Sequence, residues 1–318
     1  MDYSNLEFFG YNADQKKLLE LLRIAKKPKS KIKLVLMTAP SFVVDFNYKD
    51  FVPKIKGLGF DKVTELTFGA KIINQQYHKY IKAHYSSYQN CKKIKDADFQ
   101  NKFISSVCPA SVELVKKQFP ELAKFLLPFD SPMSAMAKIM KKNFPKHSIV
   151  FLSPCSAKKH EALSISKGSK IKSKKLIDAV ITFAELKQII AKEKPKSKKG
   201  AIKFDSFYAD YTKIYPLSGG LASTLHYKGI LKKREVVSSD GVTNLQKLFN
   251  SNPSKVFYDI LFCKGGCIGG PGIASGAPII IKKQRVLGYR NLSKKGKINA
   301  DNGNEKYVKG IDFSTQFD

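Results

Sequence analysis

The sequence lacks any apolar stretch close to the roughly 20 residues that a membrane span requires. Its first ten residues, Met1 to Gly10, have neither the basic start nor the apolar run of a secretory signal. Cysteine is also scarce, because the 318-residue chain contains only five. We therefore expect a soluble, cytoplasmic protein without membrane contacts, and its cysteines are core thiols or metal ligands rather than a disulfide framework.

Acidic residues and arginine are in short supply as well. Asp and Glu total 26 against 57 for Lys and Arg, which gives a formal net charge of +31. The only arginines are Arg23, Arg234, Arg285 and Arg290. Proteins that read nucleic-acid grooves depend on arginine, and here lysines are spread along the whole chain. We therefore expect no nucleic-acid partner and interpret the charge as a lysine-rich solvated surface, with docking of an acidic protein as the alternative.

Short apolar segments alternate with helical patterns along the chain. Buried strands are predicted at Lys33–Thr38, His147–Leu152, Asp178–Phe183 and Val256–Phe262. Helices are predicted at Asn12–Ala25, Pro109–Phe119 and Ser131–Phe144. This alternation is typical of an α/β protein with largely parallel sheets.

Three of the predicted strands run directly into unusual residues. The first is followed by Pro40 and Ser41, the second by Cys155 and the last by Cys263. Binding sites in open α/β sheets form beyond the carboxyl ends of the strands. We therefore expect these residues to contribute to one site.

Four cysteines form a candidate ligand set. Cys108 directly precedes a predicted helix, whose dipole and free amides favour a thiolate. Together with Cys155, Cys263 and Cys267 it would select zinc or an iron–sulfur cluster. Structural zinc sites usually bring two close pairs of cysteines, whereas here only Cys263 and Cys267 are close. The surrounding glycines favour a cluster, because bare backbone lets amides bond to the sulfurs; buried thiols beside a glycine turn are the alternative.

The cysteine motifs resemble those of a known family. SSVCPAS, SPCSAKKHEA and LFCKGGCIGGPG are similar, in this order, to the three cysteine signatures of the FeFe-hydrogenase catalytic domain. Matching segments between them are TAPSF, LGFDKVTELTFGA, DSPMS, DAVITFAEL and PLSGGLAS. The resemblance covers residues 32 to 275 and implies two α/β lobes, residues 1–148 and 149–318. Each lobe would be a small mixed or parallel sheet flanked by helices, with the active site in the cleft between them.

The resemblance also implies a cofactor and its ligands. The family carries the H-cluster, a 4Fe-4S cubane joined by one cysteine to a diiron unit with CO, cyanide and azadithiolate ligands. By motif, the cubane would be held by Cys108, Cys155, Cys263 and Cys267, of which Cys267 would be the bridge to the diiron unit.

Other motif positions imply catalytic roles and an activity. Lys158 would reach one cyanide ligand, Pro40 and Ser41 would line the other, and Glu161 would remain from the family's proton-transfer residues. The implied function is the reversible interconversion of protons and electrons with dihydrogen. Only about thirty residues precede the first predicted strand, and they contain no cysteine. We therefore expect electrons from ferredoxin, another external carrier or a separate relay subunit, and a cofactor delivered by hydrogenase maturation proteins.

The sequence departs from the family where protons would be passed on. Val107 occupies the position of a second cysteine, Tyr77 and Tyr80 replace glutamates, and Leu127 replaces a serine. A valine cannot transfer a proton, and one lost link of this kind removes about 10²–10⁴-fold in rate. Two alternatives to a fast hydrogenase therefore stay open: a slow-turnover hydrogen sensor, and an iron–sulfur scaffold or assembly protein.

Overall fold

A computed structural model of the protein describes residues 10–90, 102–168, 175–198, 203–207, 211–227, 229–295 and 305–317. The strands are β1 (Lys33–Thr38), β2 (Lys62–Glu65), β3 (Phe103–Ile104), β4 (His147–Ser153), β5 (Ala179–Thr182), β6 (Val236–Asp240) and β7 (Phe257–Leu261). The helices are α1 (Ala13–Lys26), α2 (Tyr48–Leu58), α3 (Thr67–Asn90), α4 (Pro109–Gln118), α5 (Pro132–Asn143), α6 (Ala157–Gly168), α7 (Phe183–Glu193), α8 (Gly220–Tyr227), α9 (Val242–Ser251), α10 (Ile279–Lys295) and α11 (Glu305–Val308). None of these helices combines the length and apolarity that a membrane crossing needs.

The strands form two sheets with the orders β2-β1-β4-β5 and β3-β7-β6. Every strand pair within the described residues is parallel, which requires crossover connections such as the intervening helices. The predicted α/β class with parallel sheets and flanking helices is therefore confirmed. Each sheet takes strands from both sides of residue 148, so the sheets do not coincide with the two segments predicted as lobes.

The predicted strands and helices lie close to their observed bounds. Residues Lys33–Thr38 form β1 as predicted, and the other three predicted strands match β4, β5 and β7 to within one residue at each end. The three predicted helices are α1, α4 and α5, and Asn12 caps α1 by accepting a hydrogen bond from the Gln15 amide. Three strands were not predicted: β2, the two-residue β3, and β6, whose sequence VVSSD is largely polar.

Both sheets are packed against helices by apolar contacts. In β1, all residues after Lys33 are buried, as expected for a parallel strand that is covered on both faces. The second sheet has its own smaller apolar cluster, in which Val112 and Val115 of α4 meet Ile260 of β7 and Phe249 of α9. This packing fixes the strand ends from which the site is built.

Candidate metal centre

Neighbouring strands of each sheet lead into the candidate site. In the second sheet, β3 precedes Cys108 and its neighbour β7 precedes Cys263. In the first sheet, β1 precedes Pro40 and Ser41, and its neighbour β4 precedes Cys155. Residues far apart in the sequence are therefore presented from the carboxyl ends of adjacent parallel strands.

The structure brings the four candidate thiols within electrostatic range of one another. Burial raises the pKa of Cys267, and the thiols of Cys108, Cys155 and Cys263 raise it further. Burial also raises the pKa of Cys263 to about 12, with contributions from Cys155 and Cys108. Four thiolates so close together need a compensating positive charge, which bound metal supplies. The donor set therefore fits a cationic metal centre.

Zinc, the alternative to a cluster, requires its thiolate ligands around a single ion. Among the residues that the structure describes, no three His, Cys, Asp or Glu side chains are placed to hold one metal ion together. Thiolates around one zinc ion would lie about 3.8 Å apart, from tetrahedral geometry with bonds of about 2.3 Å.

Two of the thiols lie at the N-termini of helices. Cys108 is the N-cap residue of α4, as its position before a proline predicts. Burial and the nearby Cys108 raise the pKa of Cys155, while hydrogen bonds from the amides of Ala157 and Lys158 at the start of α6 lower it. The helix start after Cys155 was not predicted, although Ser156 is a residue type that favours such starts.

The glycines after Cys267 are required by close backbone packing. A Cβ atom on Gly270 would lie 2.4 Å from the carbonyl oxygen of Pro154, and one on Gly272 would lie 2.8 Å from the carbonyl carbon. The amide of Gly272 donates a hydrogen bond to the same carbonyl oxygen at 2.8 Å. The loop that carries Cys267 is therefore pressed against the residue that precedes Cys155. This contact gives the glycines a role besides the predicted approach of amides to sulfur.

The turn between Cys263 and Cys267 is held by a third segment. Gly265 and Gly266 have φ angles of +82° and +76°, which other residues adopt only with strain. The amide of Cys267 donates to the carbonyl oxygen of Pro216 at 2.8 Å. The segment before α8 therefore fixes the backbone of Cys267.

A buried ion pair lies just before Pro216 in the chain. The ammonium of Lys213 contacts the carboxylate of Glu65, and both side chains are almost completely buried. The hydroxyl of Tyr289 lies 3.3 Å from the Lys213 Nζ atom, and its ring lies beneath the ammonium. Glu65 is the last residue of β2, opposite Thr38 of β1. The pair thus ties the segment that supports Cys267 to the first sheet.

Lys158 and Glu161 form an ion pair at the edge of the thiol group. The Lys158 Nζ atom lies 2.6 Å from Oε2 of Glu161 and 3.4 Å from the carbonyl oxygen of Val107. The two side chains are only 12% and 14% exposed. The other carboxylate oxygen of Glu161 accepts a hydrogen bond from Ser131, the N-cap residue of α5. The Lys158 charge also lowers the pKa of Cys267, but burial and the other three thiols raise it more.

Two buried hydroxyl groups near the cysteines have no hydrogen-bond partner within the part of the chain that the structure describes. Ser41 follows Pro40 in a short 3₁₀ helix, and Ser111 lies in the first turn of α4. Both side chains are fully buried, and neither hydroxyl has a hydrogen-bond partner among the described residues. Buried polar groups are nearly always paired. A polar group bound in the site would satisfy them, so these hydroxyls also fit an H-cluster with its cyanide ligands.

Two of the positions at which the resemblance implies replaced proton-transfer residues, Tyr77 and Leu127, are joined through Ser106, and we call these three residues the Tyr77 wall. The Tyr77 hydroxyl lies 2.9 Å from the Ser106 hydroxyl and accepts the Ser106 amide at 2.8 Å. The Ser106 hydroxyl donates to the carbonyl oxygen of Leu127 at 2.7 Å. A carbonyl oxygen has no proton to pass on, so this row of hydrogen bonds ends in the backbone.

Comparison with known proteins identifies the family. Residues 32–271 match the family described as "Iron only hydrogenase large subunit, C-terminal domain". The match covers most of the chain and nearly coincides with the predicted resemblance. The protein therefore belongs to the iron-only (FeFe) hydrogenase large-subunit family.

Solved FeFe-hydrogenase structures share the fold. One, from a study of oxygen inactivation at the H cluster, superimposes with a TM-score of 0.68 at 16% identity over 95% of this chain and 96% of that chain. A variant hydrogenase of Chlamydomonas reinhardtii gives 0.68 at 16% identity over 92% and 93%. A structure from a study of stepwise H-cluster assembly gives 0.66 at 16% identity over 92% and 93%. At this identity the likeness establishes the fold.

Proposed function

We propose that the protein is a hydrogenase that binds an H-cluster and interconverts two protons and two electrons with dihydrogen. The observation that carries this proposal is that four thiols, which follow strands of both sheets, lie close enough to influence one another's pKa values. The proposed ligands of the cubane are Cys108, Cys155, Cys263 and Cys267. When bound, the H-cluster supplies the redox centre and the site at which dihydrogen is formed or split.

Cys267 is proposed as the ligand shared by the cubane and the diiron unit. Its thiol is affected by all three other thiols, and its amide is anchored to Pro216. A ligand shared by two metal units needs a fixed position. The glycine contacts with Pro154 restrict the same loop further.

Lys158 and Ser41 are proposed to bind the cyanide ligands. An ammonium is a compact cation with three hydrogen-bond donors, which suits an anionic acceptor. Glu161 holds the Lys158 side chain beside the thiols, and Pro40 shapes the turn that buries Ser41. These residues would orient the diiron unit and exclude water from one side of it.

Electrons are proposed to come from an external carrier such as ferredoxin, and the cofactor from maturation proteins in the cytoplasm. The formal charge of +31 supports attraction of an acidic carrier. Turnover driven by ferredoxin should therefore slow as ionic strength rises, because salt screens this attraction.

A second candidate function is hydrogen sensing with slow turnover. The observation that favours it is the Tyr77 wall, together with Val107 in place of a thiol. Tyr77, Ser106 and Leu127 are joined by hydrogen bonds that end at a backbone carbonyl. Slow proton exchange on this side would leave hydrogen binding intact while limiting the rate.

Cofactor loading separates these functions. The chain is first reconstituted with iron and sulfide and then incubated with a synthetic diiron complex. Infrared spectra are recorded in the CO and cyanide region, and dihydrogen evolution is assayed with reduced viologen. Infrared bands with rapid evolution support the enzyme, whereas bands with only trace evolution support the sensor. The absence of bands after successful cubane reconstitution would contradict both and indicate a scaffold.

Matched lysine variants sharpen this experiment. Lys158→Met should shift the cyanide bands or reduce diiron retention, because the proposed donor is lost. Lys159→Met is the control, since the neighbouring Lys159 pairs with Asp14 and Glu185 instead. Identical cyanide bands in wild type and both variants would contradict the role of Lys158.

A further inference from the structure

The start of α10 exposes three consecutive isoleucines, which we call the isoleucine surface: Ile279, Ile280 and Ile281. Their side chains are 39%, 66% and 38% exposed. The next residue, Lys282, is only 8% exposed. A helix at an ordinary solvent boundary buries its apolar side chains and exposes its lysines. The reversed order indicates a surface shaped for contact with another molecule.

Ile279, the first residue of the isoleucine surface, lies against the loop that carries two of the thiols. Atom Cδ1 of Ile279 is 2.8 Å from the position that a Cβ on Gly265 would take, and 3.4 Å from that on Gly269. This surface therefore adjoins the loop that carries two of the proposed cluster ligands. An electron carrier bound here would approach the cluster ligands closely.

Positive charge borders the isoleucine surface. Lys264, within the cysteine loop, and Lys283, one turn along α10 from Ile280, are both exposed. The whole chain carries a formal charge of +31, so a second copy of the chain would be repelled. An apolar centre with a charged rim is the usual composition of a protein interface. The charge pattern favours an acidic partner.

We propose that the isoleucine surface is the docking site of an acidic one-electron carrier protein, with Lys264 and Lys283 steering its approach. The inference rests on the proposed function, because it assumes a redox centre held by the cysteine loop. Each reduced carrier gives up one electron and leaves oxidised. Two carriers thus supply the two electrons that convert two protons into one dihydrogen.

The test uses the cofactor-loaded chain with an acidic bacterial-type ferredoxin as the probe. Ile280→Asp should raise the KM for reduced ferredoxin about tenfold, because loss of one well-packed apolar contact and added repulsion cost on the order of 1.4 kcal/mol. Ile280→Asn, which adds no charge, should raise it several-fold. Evolution with reduced viologen should be unchanged in both variants. Calorimetric titration of ferredoxin should show the same order of affinities without turnover.

Leu292→Asp is the matched control. Leu292 is 47% exposed on the same helix and lies about 18 Å from Ile280 at 1.5 Å per residue. The KM of the Leu292→Asp variant for ferredoxin should equal that of the wild type. Equal KM values and affinities for Ile280→Asn and the wild type overturn the docking site. A wild-type dimer that Ile280→Asp dissociates, with ferredoxin kinetics unchanged, overturns it as well, since a second copy then covers the surface. If viologen supports no evolution at all, the proposed function fails, and the titration alone decides whether ferredoxin binds here.

Discussion

The cysteine loops and the Tyr77 wall, whose Ser106 lies two residues before Cys108, are held together by different means. The loops that carry Cys155 and Cys267 meet through main-chain atoms, where Gly270 and Gly272 leave no room for side chains. The Tyr77 wall is joined instead through the side-chain hydroxyls of Tyr77 and Ser106. Side chains can therefore change in the wall without displacing the thiols.

This difference bears on the proposed combination of a complete ligand set with an altered proton route. The thiol positions depend on close backbone approach, which tolerates few residue types. The proton route depends instead on the chemistry of single side chains, such as that of Val107. Variants on each side should therefore affect different properties.

The largest expected effect comes from the thiols themselves. Serine variants of each proposed ligand should lose most of the iron and all dihydrogen evolution, because serine is a poor ligand for iron–sulfur clusters. These variants are Cys108→Ser, Cys155→Ser, Cys263→Ser and Cys267→Ser. Iron and sulfide analysis after reconstitution measures the loss. Cys91→Ser is the control and should retain both; Cys91 lies outside the described residues. A full cluster in any of the four ligand variants would remove that residue from the set.

The next effect concerns the ion pair behind Cys267. Lys213→Met should lower the free energy of unfolding by about 3–5 kcal/mol, because it leaves the Glu65 carboxylate buried without its cation. The double variant Glu65→Gln with Lys213→Met should recover much of this loss. Urea denaturation of the cofactor-free chain measures both. A loss below about 1 kcal/mol in the single variant would show that Glu65 is not held as a buried charge.

On the other side of the site, Val107→Cys should restore a proton-carrying group. We expect dihydrogen evolution with viologen to rise by about 10²-fold, the lower end of a general acid–base contribution. Val107→Ser controls for the change in volume and should give a much smaller rise. If neither variant is faster, proton transfer at position 107 does not limit turnover, and the hydrogen bonds of the Tyr77 wall become the next candidate.

The smallest effect is expected for Tyr77→Phe. Losing the hydroxyl leaves the buried Ser106 amide without an acceptor, which should cost about 1–3 kcal/mol of unfolding free energy. Ser41→Ala is a fitting comparison in the cofactor-free chain, since its buried hydroxyl has no partner among the described residues. Its stability should stay at or slightly above that of the wild type. Equal stability of Tyr77→Phe and wild type would contradict the proposed role of the hydroxyl.

The sequence predicted the parts of the molecule that local patterns encode. The strands before Cys155 and Cys263 are apolar and buried, so their residues reveal both the strand and its end. By contrast, β6 is polar and partly exposed, and β3 has only two residues, so neither carries a recognisable pattern. Both are strands only because β7 pairs with them.

Tertiary contacts were beyond the reach of the sequence. A lysine at position 213 resembles the many solvated lysines of this chain, and only the fold shows that it meets Glu65 in the interior. The burial of the Ser111 hydroxyl and the contact of Gly272 with Pro154 depend in the same way on segments brought together by folding. Local pattern therefore indicates which residues form the site, and long-range packing determines how they are supported.

The contact between Gly272 and Pro154 limits the size of the side chain at position 272 rather than its polarity. An added methyl group at Gly272 would act as a wedge between the two cysteine loops, although it would touch no sulfur atom. Lysine substitutions at the solvated surface should have little effect on the fold, because surface charge leaves the distance between the cysteine loops unchanged. At Gly272, the tolerance to substitution is thus set by two stretches of main chain that must touch.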